Sequence, residues 1–455
     1  MRPLYLILLS ALLFGACDRN NGGTQPTNTG DGYMQYGEPF AEVPEAEEVV
    51  LYEVNPLVFS AHRDLQGVTA RLDSIRDLGV NVIWLMPIYE MGIDRSVGSP
   101  YCIKDFTSMN AAYGDIDDLR TLVEQAHKRG MAVLLDWVAN HTSWDHVWMG
   151  DSSFYVRDNG SIIHPPGTNW SDVAELNYDN PELRAEMISA MKYWILEANV
   201  DGYRCDYAGG VPNDFWNAAI DTLRAIPGRE LLMFAESDQY DLLEEGFDMS
   251  FSWSFYGSCW NIWNLEADAS QLFQSHLDEL TQLPSGKTTV RFMTNHDQHA
   301  WDGTPKDIFG SNDAAFGVFL TATTMGGVPL LYNGQEKGLS YQLPFFVPTT
   351  KGINWTLNPE ETARHKLLLE AYHTYDALRG SANRSDYSTN NVIAFASEGT
   401  NHMAFIAVNP RTNPQTISLP QAWQNKTVWN VFEQDSIVID SSISLHNSQY
   451  LLLVK

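Results

Sequence analysis

Asp201-Gly202-Tyr203-Arg204-Cys205-Asp206 reads as a short apolar strand that closes on an Arg and an Asp two residues apart. Side chains alternate along a strand, so Arg204 and Asp206 face one side and Cys205 the other. Two further runs end in the same way. Leu231-Leu232-Met233-Phe234-Ala235 leads into Glu236, and Phe292-Met293-Thr294-Asn295-His296 leads into Asp297. Carboxylates gathered at strand ends repel one another and resist losing water, so a fold collects them for chemistry or metal binding more readily than for stability. A single Asp at a strand end is ordinarily an N-cap or a solvated loop residue. Three such ends with Arg and His in attendance point instead to one shared site.

Outward from these ends, apolar strands alternate with helical stretches. Residues 49–54 precede a helix whose Val68, Leu72, Ile75 and Leu78 share a face and which stops at Gly79. Residues 80–85 lead to a helix opened by Asp115, with Ile116, Leu119, Leu122, Val123 and Ala126 inward and Gly130 as its end. Stretches 131–136, 202–205, 231–234, 248–252, 289–294 and 329–332 bring the strands to eight. Eight buried strands alternating with helices imply an α/β fold, a (β/α)8 TIM barrel over residues 46–380, whose catalytic groups come from the carboxyl ends of several strands. The rival is an open doubly wound sheet, but no Gly-rich phosphate loop follows the first strand. Residues 137–180, rich in Trp, His, Asp and Gly, form an inserted loop domain between the third strand and a helix started by Asn180-Pro181. Connections that long inside a compact domain are usually functional. After Arg379, short strands separated by Asn, Pro, Gly and Ser predict a C-terminal antiparallel β-sandwich over 381–455 that carries no convergent acids.

Composition narrows the function classes. With 44% hydrophobic residues in 455, the chain can bury a large core and a smaller one beside it. Its 28 basic against 57 acidic residues give a net charge of −29, which excludes the clustered Lys and Arg of a nucleic-acid or anionic-membrane surface and is compatible with a neutral substrate such as a sugar. Residues 1–17 join Arg2, an apolar run from Leu4 to Phe14 too short to span a bilayer, and Gly15-Ala16-Cys17, the layout of a secretory signal. Residues 18–45 have few large apolar groups and are expected to form a flexible tether. Beyond Cys17 there remain Cys102, Cys205 and Cys259, an odd number that argues against a disulfide scaffold.

The motifs DWVANH (136–141), GYRCD (202–206), FAE (234–236) and FMTNHD (292–297) resemble, in order, the four signature regions of the α-amylase family, glycoside hydrolase family thirteen. GVNVIWLMPI (79–88), SPYCIKDF (99–106), ELNYDNPE (175–182) and GVPLLYNGQE (327–336) extend the likeness over residues 48–455. The resemblance implies retaining hydrolysis of α-glucans or maltooligosaccharides, with Asp206 as nucleophile, Glu236 as general acid and base, and Asp297 as stabiliser of the distorted sugar ring. It also implies that Tyr101 stacks on the reacting sugar, that His141 and His296 bind its hydroxyls, and that Asp136 orients Arg204. Arg204 beside Asp206 is expected to favour the ionised nucleophile, while Glu236, with no cation adjacent in sequence, can keep its proton. No organic cofactor is implied. The family's structural calcium (Ca2+) would fall to Asn140 and Glu175. The FGAC ending (14–17) resembles a bacterial lipoprotein signal, which implies membrane contact through a lipidated Cys17 and a place in the cell envelope, periplasm-facing or at the surface.

The chain also departs from the family. Many members place Lys-His four residues after the nucleophile, where Ala208-Gly209-Gly210 follows Tyr207 here, and the Asp that usually precedes Leu-Asn is Glu175. An α-glucan transglycosylase shares the covalent intermediate and stands as one alternative. A non-catalytic starch-binding surface lipoprotein is another, although it would not need the three acids. The motifs distinguish neither α-1,4 from α-1,6 linkages nor one oligomeric state from another.

Overall fold

The computed structural model describes residues 32–346 and 351–455. Eight parallel strands close on themselves: β1 (Leu51–Val54), β2 (Val82–Leu85), β3 (Ala132–Trp137), β4 (Gly202–Cys205), β5 (Leu232–Ala235), β6 (Met249–Phe251), β7 (Thr288–Phe292) and β8 (Val328–Tyr332). They follow one another around the ring, and β8 pairs with β1 to seal it. The expected barrel is therefore present. Each strand is buried on both faces, which is why the strands read as continuous apolar runs. Alternate residues such as Trp84, Phe234, Phe251 and Phe292 fill the interior, while Tyr203, Cys205, Met233 and Ala235 pack outward against the helices. All three described cysteines are free and buried, and Cys205 sits in the outer layer as a small hydrophobe.

Local chemistry sets the element ends. Asp115 caps the helix Ile116–His127 by accepting from the backbone N–H groups of Asp117 and Asp118 at 3.0 and 3.1 Å, and Asp118 answers to the N–H of Asp115. Asn180 likewise caps Pro181–Glu197. The helix expected after β1 is two, Leu65–Thr69 and Leu72–Asp77. The break falls at Arg71, whose backbone leaves the helical range and whose guanidinium lies 4.3 Å over the Trp355 ring. Val68, Leu72, Ile75 and Leu78 are nonetheless all buried, as their spacing implied. Gly202 opens β4 at φ +143, where a Cβ would come within 1.9 Å of the Leu232 carbonyl oxygen, so only glycine lets β4 start beside β5.

One expectation fails. Residues 32–45 are not a free tether: the Tyr36 N–H donates to the Leu196 carbonyl at 2.7 Å, the Tyr36 hydroxyl donates to Glu124 at 2.7 Å, and Phe40, 9% exposed, stacks on His127 at 4.5 Å. Asn199 donates to the Glu38 carbonyl at 2.8 Å, so the segment lies against the residue runs that lead into β3 and β4, at the amino ends of the strands. The low average hydrophobicity of the stretch hides three aromatic anchors, Tyr33, Tyr36 and Phe40, that pack against the barrel. Cys17 and the rest of the signal and tether lie outside the described residues. Among the described residues no helix is long and apolar enough to cross a membrane.

The C-terminal domain is antiparallel, as expected. A six-stranded sheet and a two-stranded sheet enclose a core that includes Phe405, Trp423, Leu445 and Leu453. Two of its strands, Asn383–Asp386 and Ser442–Leu445, are too polar to have been read from the sequence. Arg411 ties the domain to the barrel by donating to the carbonyls of Ile262 and Ala267 at 2.8 and 2.6 Å.

Candidate active site

The carboxyl ends of β3, β4 and β5 bring Asp136, Arg204, Asp206 and Glu236 together. Parallel register sets Asp136 beside Arg204, and the Glu236 N–H donates to the Cys205 carbonyl at 2.9 Å, continuing the ladder one residue past each strand. Arg204, fully buried, donates from Nη1 to Asp136 Oδ1 at 2.6 Å and to Asp206 Oδ1 at 3.0 Å. Its Nη2 stands 2.8 Å from Glu236 Oε2, which also accepts the Tyr207 N–H at 2.8 Å. Strand β7 delivers His296 and Asp297 just beyond its end. The expectation that Arg204 serves the nucleophile alone is thus corrected. Sequence adjacency hides a contact made across strands, and one guanidinium holds both Asp206 and Glu236.

The electrostatics of Asp206 run opposite to the sequence reading. Burial pushes its carboxyl well above the usual carboxylate range; Arg204 opposes this, while Glu236, Asp136 and Asp297 add to it. The carboxyls around Asp206 therefore crowd one another, and the site resists carrying all of their negative charge at once.

A second chain of contacts crosses the site. The Tyr101 hydroxyl donates to Asp136 Oδ2 at 3.0 Å, and Trp84 Nε1 donates to the same oxygen at 3.1 Å. The hydroxyl has one proton, spent on Asp136, so His296 Nε2, 2.9 Å away, must be the donor to Tyr101. His296 Nδ1 meets Glu53 Oε1, so the partners on its two ring nitrogens suit the cationic imidazole. Burial works against that charge, but Asp297 and Glu53 outweigh it and raise the histidine to about 9. His141, by contrast, is buried without a counter-charge and is lowered to about 4, so it is neutral.

These groups line a cleft of about 630 Å³. Tyr101, His296 and Phe345 cluster with nearly parallel rings, each pair of centroids 5.4 to 5.7 Å apart. His141, Trp170 and Tyr207 form a second aromatic group, Trp170 meeting His141 at 5.7 Å and Tyr207 at 5.0 Å, edge to face. Tyr207, 40% exposed, has a left-handed backbone with φ 42. A Cβ on Gly210 would fall 2.4 Å from its ring and 2.7 Å from Asn140 Oδ1. The missing Lys-His pair is therefore a repacking, with the Tyr207 ring in space that a side chain at 210 would need.

The structure thus brings Asp206, Glu236, Asp297, Tyr101, His141 and His296 to one cleft, with Arg204 and Asp136 buried behind them. Sequence reading missed Glu53, Trp84, Phe345, Trp170 and Tyr207. For Glu53 a signal existed: a carboxylate inside the apolar strand β1 has to find a partner.

Asn140 immediately precedes the strand His141–Ser143 of a small ribbon, in which His141 pairs with Glu175 and the Leu176 N–H donates to the Asn140 carbonyl at 3.2 Å. Glu175 Oε2 is buried without a partner, and burial raises its carboxyl, so a proton suffices to neutralise it. A calcium ion takes six to eight oxygens. Among the described residues no three His, Cys, Asp or Glu converge on a metal position, and these donors do not by themselves make a calcium site.

Comparison with known proteins bears on this geometry. The family described as Alpha amylase, catalytic domain, matches residues 29–160. An α-amylase of Haloarcula japonica is 27% identical over 426 residues, covering 88% of this chain and 61% of its own length. An oligo-1,6-glucosidase of Parageobacillus thermoglucosidasius is 30% identical over 198 residues, covering 35% of this chain and 34% of its own. The chain therefore spans about three fifths or less of the length of these curated relatives. The crystal structure of a maltogenic α-amylase from Thermotoga neapolitana superposes with a TM-score of 0.80 at 26% identity, covering 90% of this chain and 99% of that one. Motif order, barrel and kinship agree: the chain is similar to α-amylases in its eight-stranded barrel and, over residues 29–160, in the family's catalytic-domain sequence.

Proposed function

We propose that the protein is a retaining α-glycoside hydrolase acting on α-glucans or maltooligosaccharides. The observation that carries this is the single guanidinium of Arg204 joining Asp206 and Glu236, with Asp297 facing the same cleft. Retaining sites hold nucleophile and acid about 5 to 5.5 Å apart, too close for an intervening water, and two carboxylates on the terminal nitrogens of one guanidinium suit that spacing. Asp206 attacks the anomeric carbon while Glu236 gives its proton to the departing glycosidic oxygen, so the carbon–oxygen bond breaks as a β-glycosyl ester forms. Glu236 then takes a proton from water, whose oxygen displaces Asp206 and leaves the sugar as the α-anomer.

The charge pattern suits the chemistry. Positive charge developing on the sugar relieves the crowding of Asp206, Asp297 and Asp136, so the site favours the transition state over the neutral substrate. Neutral His141 and the ring of Tyr101 line the cleft, while the two ring nitrogens of cationic His296 engage Tyr101 and Glu53 and so hold Tyr101 in place. Trp170 and Tyr207, beside Glu236 and lining the same cleft, are suited to the leaving sugar. That pair also favours a second reading, since an acceptor sugar held there would intercept the ester and give a transfer product longer than the substrate. We also infer that Cys17 is lipidated and holds the enzyme at a membrane, on the strength of the FGAC ending alone. Labelled fatty acid recovered on the wild-type protein and absent from Cys17→Ser is the expected result.

The decisive experiment follows freshly released sugar by NMR before mutarotation. The α-anomer is expected, and the β-anomer as first product would sink the role given to Asp206.

A further inference from the structure

The helix Trp253–Asn264, which follows β6, carries no charged residue. Its Phe255, Cys259 and Ile262 are buried against the barrel. Gly257, Trp260, Asn261 and Asn264 recur at the i, i+3, i+4 and i+7 spacing of one helical stripe, and all four line an open groove of about 750 Å³. Trp301 and Asp302, at the end of the short helix that begins beside Asp297, line it too. Outward stripes of barrel helices normally carry charge, yet this one displays an indole that is 40% exposed, facing a groove whose other tryptophan is 62% exposed.

Trp301 is the junction. It lines the catalytic cleft as well as the groove, with ring centroids 6.0 Å from Phe345 and 5.6 Å from Phe346. The groove and the site of chemistry therefore meet at this one side chain. Its groups suit a sugar: two indoles offer faces for the apolar sides of hexose rings, and the Asn261 and Asn264 amides and the Asp302 carboxylate suit hydroxyls. No Lys or Arg lines it, which disfavours an anionic polysaccharide. Gly257 adds an independent sign. Glycine in a helix interior weakens the helix relative to alanine, and a Cβ built here would meet nothing within 4 Å. Packing does not require this glycine, and any side chain in its place would project into the groove.

We propose that this groove binds a further stretch of the same neutral α-glucan chain whose bond lies in the cleft, with Trp301 passing the chain from one to the other. The ligand rests on the hydrolase reading above; the groove itself does not. Two variants test it from opposite directions, Trp260→Ala removing a stacking face and Gly257→Gln filling the groove from a position with free space. In active protein, each should lower kcat/KM on amylose by about tenfold, the upper end of what one aromatic contact contributes, and leave maltotriose within about twofold of wild type. In full-length protein made inactive by Glu236→Gln, the affinity for amylose measured by calorimetry should fall by the same factor, with no binding of polyuronate. An unchanged ratio of amylose to maltotriose activity in both variants, with wild-type melting temperatures, would overturn the proposal. A protein that cleaves no α-glucan, yet binds amylose through a groove both variants weaken, would overturn the hydrolase reading and leave the groove standing.

Discussion

Tyr101 and His296 are tied by hydrogen bonds to Asp136 and Glu53, both fully buried, whereas Trp170 and Tyr207 meet each other and His141 only through ring edges. The first group answers to charge. Losing His296 leaves the buried Glu53 carboxyl unpaired, and losing Glu53 leaves the buried imidazole without its ion-pair partner, at a cost of several kcal/mol. The second answers to shape, and a change there resizes the space beside Glu236 without stranding a charge. Reaction type should therefore be fixed by the first side and preference among leaving sugars by the second.

The sharpest break in that comparison comes from the acids. Asp206→Ala should abolish cleavage of every substrate, since no ester can form. Glu236→Ala should lose natural glucans yet retain measurable turnover of glycosyl fluorides, because only a poor leaving group needs the proton. Equal loss on both would remove Glu236 from the acid role.

Next in size is the charged relay behind Tyr101. Glu53→Gln removes the counter-charge of His296 and should lower kcat/KM by about 10- to 100-fold, the equivalent of 1–3 kcal/mol for an unsatisfied buried group. It should also change the pH dependence of stability. The folded protein holds the His296 proton up to about 9 against an ordinary 6.5, so this stabilisation is complete below pH 6.5 and is lost as pH rises through 9. Chemical denaturation between those limits should show a downward slope in the wild type that flattens in Glu53→Gln. Activity should show an acid limb displaced above the usual carboxylate range, the mark of burial and neighbouring carboxylates at Asp206.

On the packing side the effects are smaller. Tyr207→Ala and Trp170→Ala should each lower kcat/KM on oligosaccharides by about tenfold, with no effect on glycosyl fluoride, whose leaving group needs no such surface. Both should also reduce any transfer product. Smallest of all is the response to metal: with the donors around Asn140 and Glu175 as they are, melting temperature should not move between chelator and millimolar calcium. A rise with free calcium would show that backbone and water oxygens complete a site the side chains only begin.

How far the sequence could be read follows the same division. The ends of β3, β4, β5 and β7 were legible because an apolar run that stops at an acid is a local signal, visible without knowing the neighbours. Asp115 and Asn180 were legible as helix starts for the same reason. The shared guanidinium was not, because the contact between Arg204 and Glu236 depends on parallel strands meeting in register. Glu53 needs a partner 243 positions away, and no periodicity announces it. Residues 32–45 deceived by their average, since three aromatics in a polar stretch are enough to dock it. The tyrosine that overlies Gly210 was visible only as an absence, a Lys-His pair that was not there.

The docked segment at the amino ends of the barrel strands has a consequence for handling and for display. The cleft opens at the opposite, carboxyl ends, so whatever holds the molecule ahead of Tyr33, whether a bead, a fusion partner or a lipid, holds it by its base. The mouth lies at the other end of the barrel from Tyr36 and Phe40, so substitutions in the docked segment leave the lining of the cleft untouched.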